Sequence, residues 1–150
     1  FTPNESRIRV KGSSPQACGY FCGSGAYFTG DYLKTPAECS EGAKEKTNQL
    51  FKRQYRAKQY TQAISTLRQM WQSCEPAMHW LEEMQIRNNL AVTYAKMGDQ
   101  DQCRKILQPY QKEIISKNPM QERNSPVTYL FEEEYKVQLK NARYNWKLCR

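Results

Sequence analysis

The chain has 150 residues, 39% of them hydrophobic, and its formal net charge at pH 7 is +8. This length suits one domain with a modest core, and only seven glycines and seven prolines argue against a turn-rich β-sandwich. No stretch approaches the roughly 18 apolar residues that a membrane-spanning helix needs, so we expect no transmembrane segment. The charge fits an acidic protein partner, an anionic envelope surface or a nucleic acid. Because the sequence contains no RNP-like segment, zinc finger or basic region followed by heptads, it favours the protein partner and no nucleic acid.

Residues 1–38 differ in composition from the rest of the chain. They contain five of the seven glycines and three of the seven prolines, which is typical of turns. From residue 39 onward the sequence is rich in Gln, Lys, Glu, Leu and Ala, which are good helix formers. We therefore predict an irregular N-terminal arm over 1–38 and an all-α domain over 39–150.

The helical part divides at residues that begin or end helices. Ser40 is a suitable N-cap, Gly98 a left-handed stop and Asp99 the next cap. Pro109 should kink the helix that contains it, and Ser125 followed by a proline indicates another helix start. We predict helices over 41–57, 61–73, 78–97 and 100–116, a loop over 117–125, and a fifth helix that ends near residue 149.

The fifth helix has two faces of opposite character. One is an apolar stripe at steps of three or four residues, which we expect to be buried: Phe131, Tyr135, Leu139, Ala142, Trp146 and Cys149. The other is a basic stripe of Lys136, Lys140, Arg143 and Lys147. This amphipathic pattern predicts a helix that closes the end of the domain.

Six cysteines form an even set: Cys18, Cys22, Cys39, Cys74, Cys103 and Cys149. Zinc is disfavoured because no second closely spaced pair follows the first and the only histidine is His79. Disulfides are favoured over free buried thiols, and they predict a periplasmic or extracellular location. No signal segment stands at the start, and its removal during processing would explain a chain that begins at Phe1.

The helix order predicts a disulfide map. In an antiparallel hairpin the start of the first helix lies beside the end of the second, so we expect Cys39 to pair with Cys74. By the same argument Cys103, which begins the fourth helix, should pair with Cys149, which ends the fifth. Cys18 and Cys22 are then left to each other. Six cysteines allow fifteen pairings, so this map is a specific prediction.

The first two predicted helices form one pair, and the third and fourth form another. When Leu90 is superposed on Leu50, the two pairs carry similar residues at corresponding positions, with a period of 40 residues. Cys103 then falls on Ala63, Leu107 on Leu67 and Tyr110 on Met70. The segment 90–99, L-A-x-x-Y-x-x-x-G-D, resembles the tetratricopeptide repeat, and the first pair resembles it less closely, with Lys58-Gln59 in place of Gly-Asp. The resemblance covers about residues 43–110, and an ordinary antiparallel bundle remains the alternative. It implies antiparallel helix pairs in a right-handed array, closed by the fifth helix.

The resemblance also implies a site, because the first helix of each pair in that family lines a concave groove for peptides or protein segments. By position, the groove would present Glu45, Gln85 and Val92 beside the residues that we expect to bind a partner. These are Asn48, Lys52, Tyr55, Arg56, Asn88, Asn89 and Lys96. A plain solvated face is the alternative interpretation.

We find no pattern of catalytic residues. His79 stands near a predicted helix start, where a capping or surface role is the simpler explanation, and the acidic runs 82–83 and 132–134 fit solvated helix faces. We therefore expect no enzyme activity, cofactor or metal. The leading hypothesis is a periplasmic or secreted inhibitor or immunity protein that neutralises an acidic secreted enzyme or toxin. An envelope assembly scaffold is the alternative, followed by a basic nucleic-acid-binding protein.

Overall fold

The computed structural model of the chain describes residues 7–10, 30–123 and 130–150. The chain divides into two compact units, Phe1–Ala37 and Glu38–Arg150. In the first unit, strand β1 (Arg7–Val10) pairs antiparallel with strand β2 (Gly30–Leu33). The arm that composition predicts to be irregular thus contains a two-stranded sheet. Cys18 and Cys22 lie outside the described residues, so their pairing stays a prediction.

The described residues of the second unit form only helices and the turns between them. The α-helices are α1 (Glu41–Arg56), α2 (Tyr60–Cys74), α3 (Trp80–Met97), α4 (Gln100–Leu107), α5 (Gln111–Ile115), α6 (Pro119–Arg123) and α7 (Glu132–Leu148). Short 3-10 turns occupy Ala37–Cys39, Glu75–Ala77 and Gln108–Tyr110. The all-helical character predicted for this part of the chain is confirmed.

Side chains at the helix starts satisfy backbone amides that have no partner within the helix. Ser40 Oγ accepts from Ala43 N at 3.4 Å, and Asp99 Oδ1 accepts from Gln102 N at 3.0 Å, so both predicted caps are confirmed. His79 Nδ1 accepts from Leu81 N at 3.4 Å. Helix α3 consequently begins at Trp80, two residues later than predicted.

Two further departures from the predicted helices occur at prolines. The helix predicted over 100–116 is interrupted, because Pro109 has no amide hydrogen to donate and lies in the 3-10 turn between α4 and α5. The loop predicted over 117–125 contains α6, which begins at Pro119, a residue well suited to the first position of a helix. The predicted helix start at Ser125 lies outside the described residues, and α7 begins at Glu132.

Helix α3 is the centre of the second unit, since it packs against α2, α4 and α7. Positions 40 residues apart are buried alike where the repeat predicts it. The buried pairs are Ala63 with Cys103, Leu67 with Leu107, and Met70 with Tyr110. Leu50 departs from this pattern: it is 38% exposed while Leu90 is fully buried, because α1 packs mainly against α2 alone.

The apolar stripe of the last helix also packs as predicted. Tyr135, Leu139, Ala142 and Cys149 are buried. The remaining members, Phe131 and Trp146, are half-buried.

Both long disulfides are present. Cys39 pairs with Cys74 and Cys103 with Cys149, each with its Cα atoms 5.4 Å apart. The first disulfide joins the start of α1 to the end of α2, at the open end of that hairpin. The second joins the end of α7 to α4. The pairings deduced from helix order are confirmed.

Replacing Cys39 and Cys74 together by alanine should lower the free energy of unfolding by about 3–4 kcal/mol, because the bond closes a loop with a sequence separation of 35. Urea unfolding followed by circular dichroism measures this. The double variant should keep its helical spectrum below the transition, and an unchanged midpoint would contradict the role given to this bond.

Candidate functional site

Helix α3 leaves one stripe of its surface open. Its residues at 84, 86, 88, 90, 91, 93 and 94 are buried. Gln85, Asn89, Val92 and Lys96 recur at steps of three or four residues and therefore share one face. Gln85 and Lys96 are exposed, whereas Asn89 and Val92 are half-buried. We call this stripe, the least buried face of α3, the floor.

Helix α1 lies along one side of the floor. The Lys44 ammonium donates to Glu82 Oε1 and forms an ion pair that joins α1 to the first turn of α3. Burial by itself would raise the pKa of Glu82, but the hydrogen bonds from Lys44 and from the backbone amide of His79 outweigh burial and leave that pKa below its ordinary value. Glu82 is therefore charged at neutral pH, and the ion pair weakens as the pH falls through the lowered pKa.

Helix α7 lies along the other side. Asn88 Nδ2 donates to the backbone carbonyl of Gln138 at 2.9 Å and to Gln138 Oε1 at 3.2 Å. Asn145 Nδ2 donates back to the carbonyl of Asn88 at 3.0 Å. Both asparagines are buried, so these hydrogen bonds fix the position of α7 beside α3. We call the surface of α1, the α3 stripe and the adjoining face of α7 the α1–α3–α7 groove.

Aromatic and apolar side chains line the walls of the groove. The pKa of Tyr55 on α1 is raised by burial, and then by the nearby Tyr60 and Tyr144. Tyr144 is on α7, the helix on the other side of the floor from α1. Val137 is seven residues before Tyr144 and on the same face of α7. These two side chains are 56% and 61% exposed, respectively.

The structure makes one correction to the residues predicted to bind a partner. Asn88 is only 4% exposed and bonds α3 to α7, so it belongs to the packing of the fold and is not open to a partner. The other predicted residues are exposed or half-buried on α1 or on the floor: Asn48, Lys52, Tyr55, Arg56, Asn89 and Lys96. Sequence reasoning missed Val137 and Tyr144. Their seven-residue spacing on the polar side of an amphipathic helix was the available signal.

The groove also contains cations without an acidic partner. Within the described part of the chain, Lys52, Arg56 and Lys96 form no ion pair. The basic stripe of α7 is less available. Lys136 pairs with Glu132 at 2.8 Å, and Arg143 donates to the backbone carbonyls of Ile114 at 3.0 Å and Ser116 at 2.7 Å. Only Lys140 and Lys147 of that stripe remain unpaired among the described residues.

Several other arginines have structural roles. Each of the three tryptophans is covered by a guanidinium group, whose central carbon lies 3.9–4.6 Å from the ring centroid. The pairs are Arg87 with Trp71, Arg123 with Trp80, and Arg104 with Trp146. Such contacts are attractive because the face of an aromatic ring is electron-rich. Part of the positive charge of the protein is therefore used in packing.

The far side of α2 carries an open cleft of about 500 Å³, lined by Arg68, Trp71, Gln72, Glu75 and Ile106. The Nε of Arg68 donates to the Tyr94 hydroxyl at 2.9 Å, and Arg87 beside the cleft donates to Glu83 and to the carbonyl of Ile106. Its arginines thus already have structural partners. Across the residues that the structure describes, no three His, Cys, Asp or Glu side chains come together as a metal ion would require.

Comparisons with protein-family models, curated proteins and solved structures found no match for this chain. None of the helices in 30–123 and 130–150 is both long enough and apolar enough to cross a membrane.

The different roles of the two neighbouring asparagines can be tested with alanine variants. Asn88→Ala should lower the free energy of unfolding by about 1–3 kcal/mol, because it removes buried hydrogen bonds between α3 and α7. Asn89→Ala, on the half-open stripe of the same helix, should change it by about 0.5 kcal/mol or less. Chemical denaturation of the two variants compares them, and equal effects would contradict the assignment of Asn88 to the fold.

Proposed function

We propose that this protein is a non-enzymatic binding domain of the periplasm or extracellular space, and that the α1–α3–α7 groove holds a segment of a protein partner. The observation that carries the proposal is the composition of the groove. The same surface contains exposed Val137 and Tyr144 together with Lys52, Arg56 and Lys96, which form no ion pair among the described residues. Interfaces between proteins combine such apolar and aromatic contacts with a charged, water-exposed border.

A tetratricopeptide-like right-handed array is part of this proposal. Its support is the repetition of one helix hairpin, in which Ala63, Leu67 and Met70 are buried like the positions 40 residues later, Cys103, Leu107 and Tyr110. In such an array the first helix of each hairpin lines the concave face. Helices α1 and α3 would then line the groove, and α7 would close its far side.

The proposed periplasmic or extracellular location is supported by the two disulfides, which join cysteines far apart in sequence. Bonds of this kind persist in oxidising compartments such as the periplasm and the extracellular space. They also hold the hairpins in place before a partner arrives, which lowers the entropic cost of binding.

Within the class of binding proteins, we favour an inhibitor or immunity protein that neutralises an acidic secreted enzyme or toxin. A preorganised surface with unpaired positive charge is suited to fast association with an acidic target. The full chain, immobilised with its disulfides oxidised, should capture one dominant secreted enzyme or toxin from periplasmic and medium fractions. Recovery of several envelope proteins would favour an assembly scaffold instead.

The groove itself is tested by charge reversal. Lys52→Glu combined with Arg56→Glu should weaken binding of the captured partner about tenfold or more, mainly through slower association, because these charges border the proposed contact. The loss should shrink at high salt. Surface plasmon resonance at two salt concentrations measures both effects.

The matched control is Lys140→Glu combined with Lys147→Glu, which changes the net charge equally on the basic stripe of α7. This variant should bind nearly as well as the wild type. If the control loses affinity and the α1 variant does not, the binding surface is the basic stripe and the groove proposal is wrong.

A further inference from the structure

The turn between α1 and α2 contains a lysine in an unfavourable backbone conformation. Lys58 has φ of 59°, and it is the only residue other than glycine with a positive φ in the part of the chain that the structure describes. A side chain on Cβ is crowded in this left-handed region, which is why glycine is the usual residue at this place after a helix.

The second hairpin makes the same turn with glycine. Gly98, 40 residues later, has φ of 80°. The hydrogen bonds of the two turns correspond: Gln59 N donates to Gln54 O at 2.9 Å, and Asp99 N donates to Tyr94 O at 3.0 Å. A Cβ placed on Gly98 would meet nothing within 4 Å, so this turn position faces open space. Neither the backbone nor the packing of the turn therefore requires a lysine at position 58.

Lys58 adds to a cluster of positive charge at one end of the groove. Helices α1 and α3 run in the same direction, since one antiparallel helix separates them, and Lys44 meets Glu82 near their starts. Their final turns therefore lie at the same end. Arg56, Lys58 and Lys96 are exposed there and form no ion pair among the described residues, and we call them the basic rim. The helix dipoles offset part of their mutual repulsion.

We propose that the basic rim is the docking point for an acidic segment of the protein partner, and that Lys58 is kept in its strained conformation for this contact. This inference rests on the proposed function. Residues in sparsely populated backbone conformations cluster at binding sites, and they persist where the surrounding structure holds them in place. A protein segment suits the site better than a uniform polyanion such as DNA. The groove that extends from the rim contains the apolar surface of Val92 and Tyr144 and, towards its opposite end, the exposed Glu45.

The test begins with random peptides displayed on phage and selected against the oxidised full chain. Enriched peptides should carry Asp or Glu beside apolar residues. The best peptide is then synthesised with a fluorescent label, and its Kd is measured by anisotropy for the wild type and for variants of the rim.

The decisive variant is Lys58→Gly, which should move binding and stability in opposite directions. Its Kd should rise about threefold to tenfold, because one charge–charge contact is lost. Its Tm should rise by roughly 2–4 °C, because glycine relieves the strain in the turn. Lys58→Arg keeps the charge and should bind like the wild type. Lys117→Gly removes the same charge from the exposed turn between α5 and α6, and it should leave the Kd unchanged.

An unchanged Kd for Lys58→Gly would overturn the inference. If the Kd were unchanged for Lys58→Gly but Tyr144→Glu abolished binding of the same peptide, only the role of the basic rim would be rejected. The proposal that the groove binds a partner would be retained. The inference about the basic rim would also be overturned if the enriched peptides lacked acidic residues. The same conclusion would follow if single-stranded DNA bound more tightly than the selected peptide at physiological salt. Failure to enrich any peptide would count against the groove as well.

Discussion

The hydrogen bonds between Asn88 and α7 determine which surface of the central helix remains open. Asn88 donates to the Gln138 carbonyl, and Asn145 donates to the Asn88 carbonyl, with both side chains buried. A buried amide group without a partner is costly, so this pair of contacts allows α7 little freedom to shift along α3 or to rotate. With α7 held on one side and α1 on the other, the stripe from Gln85 to Lys96 becomes the floor of a groove.

The covalent and electrostatic links at the ends of the helices support the same arrangement. Cys103–Cys149 fastens the last turn of α7 to α4, and Arg104 donates to the carbonyl of Cys149 at 2.7 Å while it covers the ring of Trp146. Cys39–Cys74 holds the α1–α2 hairpin closed. The helices that border the groove are thus fixed by contacts outside it. The exposed groove cations Lys52, Arg56 and Lys96 form no ion pair among the described residues and are therefore available for a partner.

Much of the helical architecture could be predicted from sequence, because its signals are local. Ser40 and Asp99 cap helices, Gly98 ends one, and helix order places Cys39 near Cys74. The burial of Asn88 could not be predicted. An analysis of hydrophobic periodicity counts asparagine as a polar surface residue. The hydrogen-bond partners of Asn88, Gln138 and Asn145, are at least 50 residues away in sequence. The helix at Pro119 had a local signal, the Asn-Pro pair, which the loop prediction overlooked.

The site was predicted only in part, for a related reason. The resemblance of the two hairpins to the tetratricopeptide repeat placed Lys52, Arg56, Asn89 and Lys96 among the candidate residues, and the structure has them on α1 or on the α3 stripe. Val137 and Tyr144 were missed because their relevance depends on where α7 packs. That position follows from tertiary contacts rather than from the periodicity of α7 itself.

The most direct test of this account is the hydrogen exchange of asparagine side-chain amides, measured by NMR on the oxidised full chain. The Asn88 and Asn145 amide protons should exchange slowly, because they are buried and bonded between α3 and α7. The Asn89 amide protons, one residue along on the open stripe, should exchange rapidly. Equally rapid exchange at Asn88 and Asn89 would mean that α7 is not fixed against α3, and the groove would then lack one of its walls.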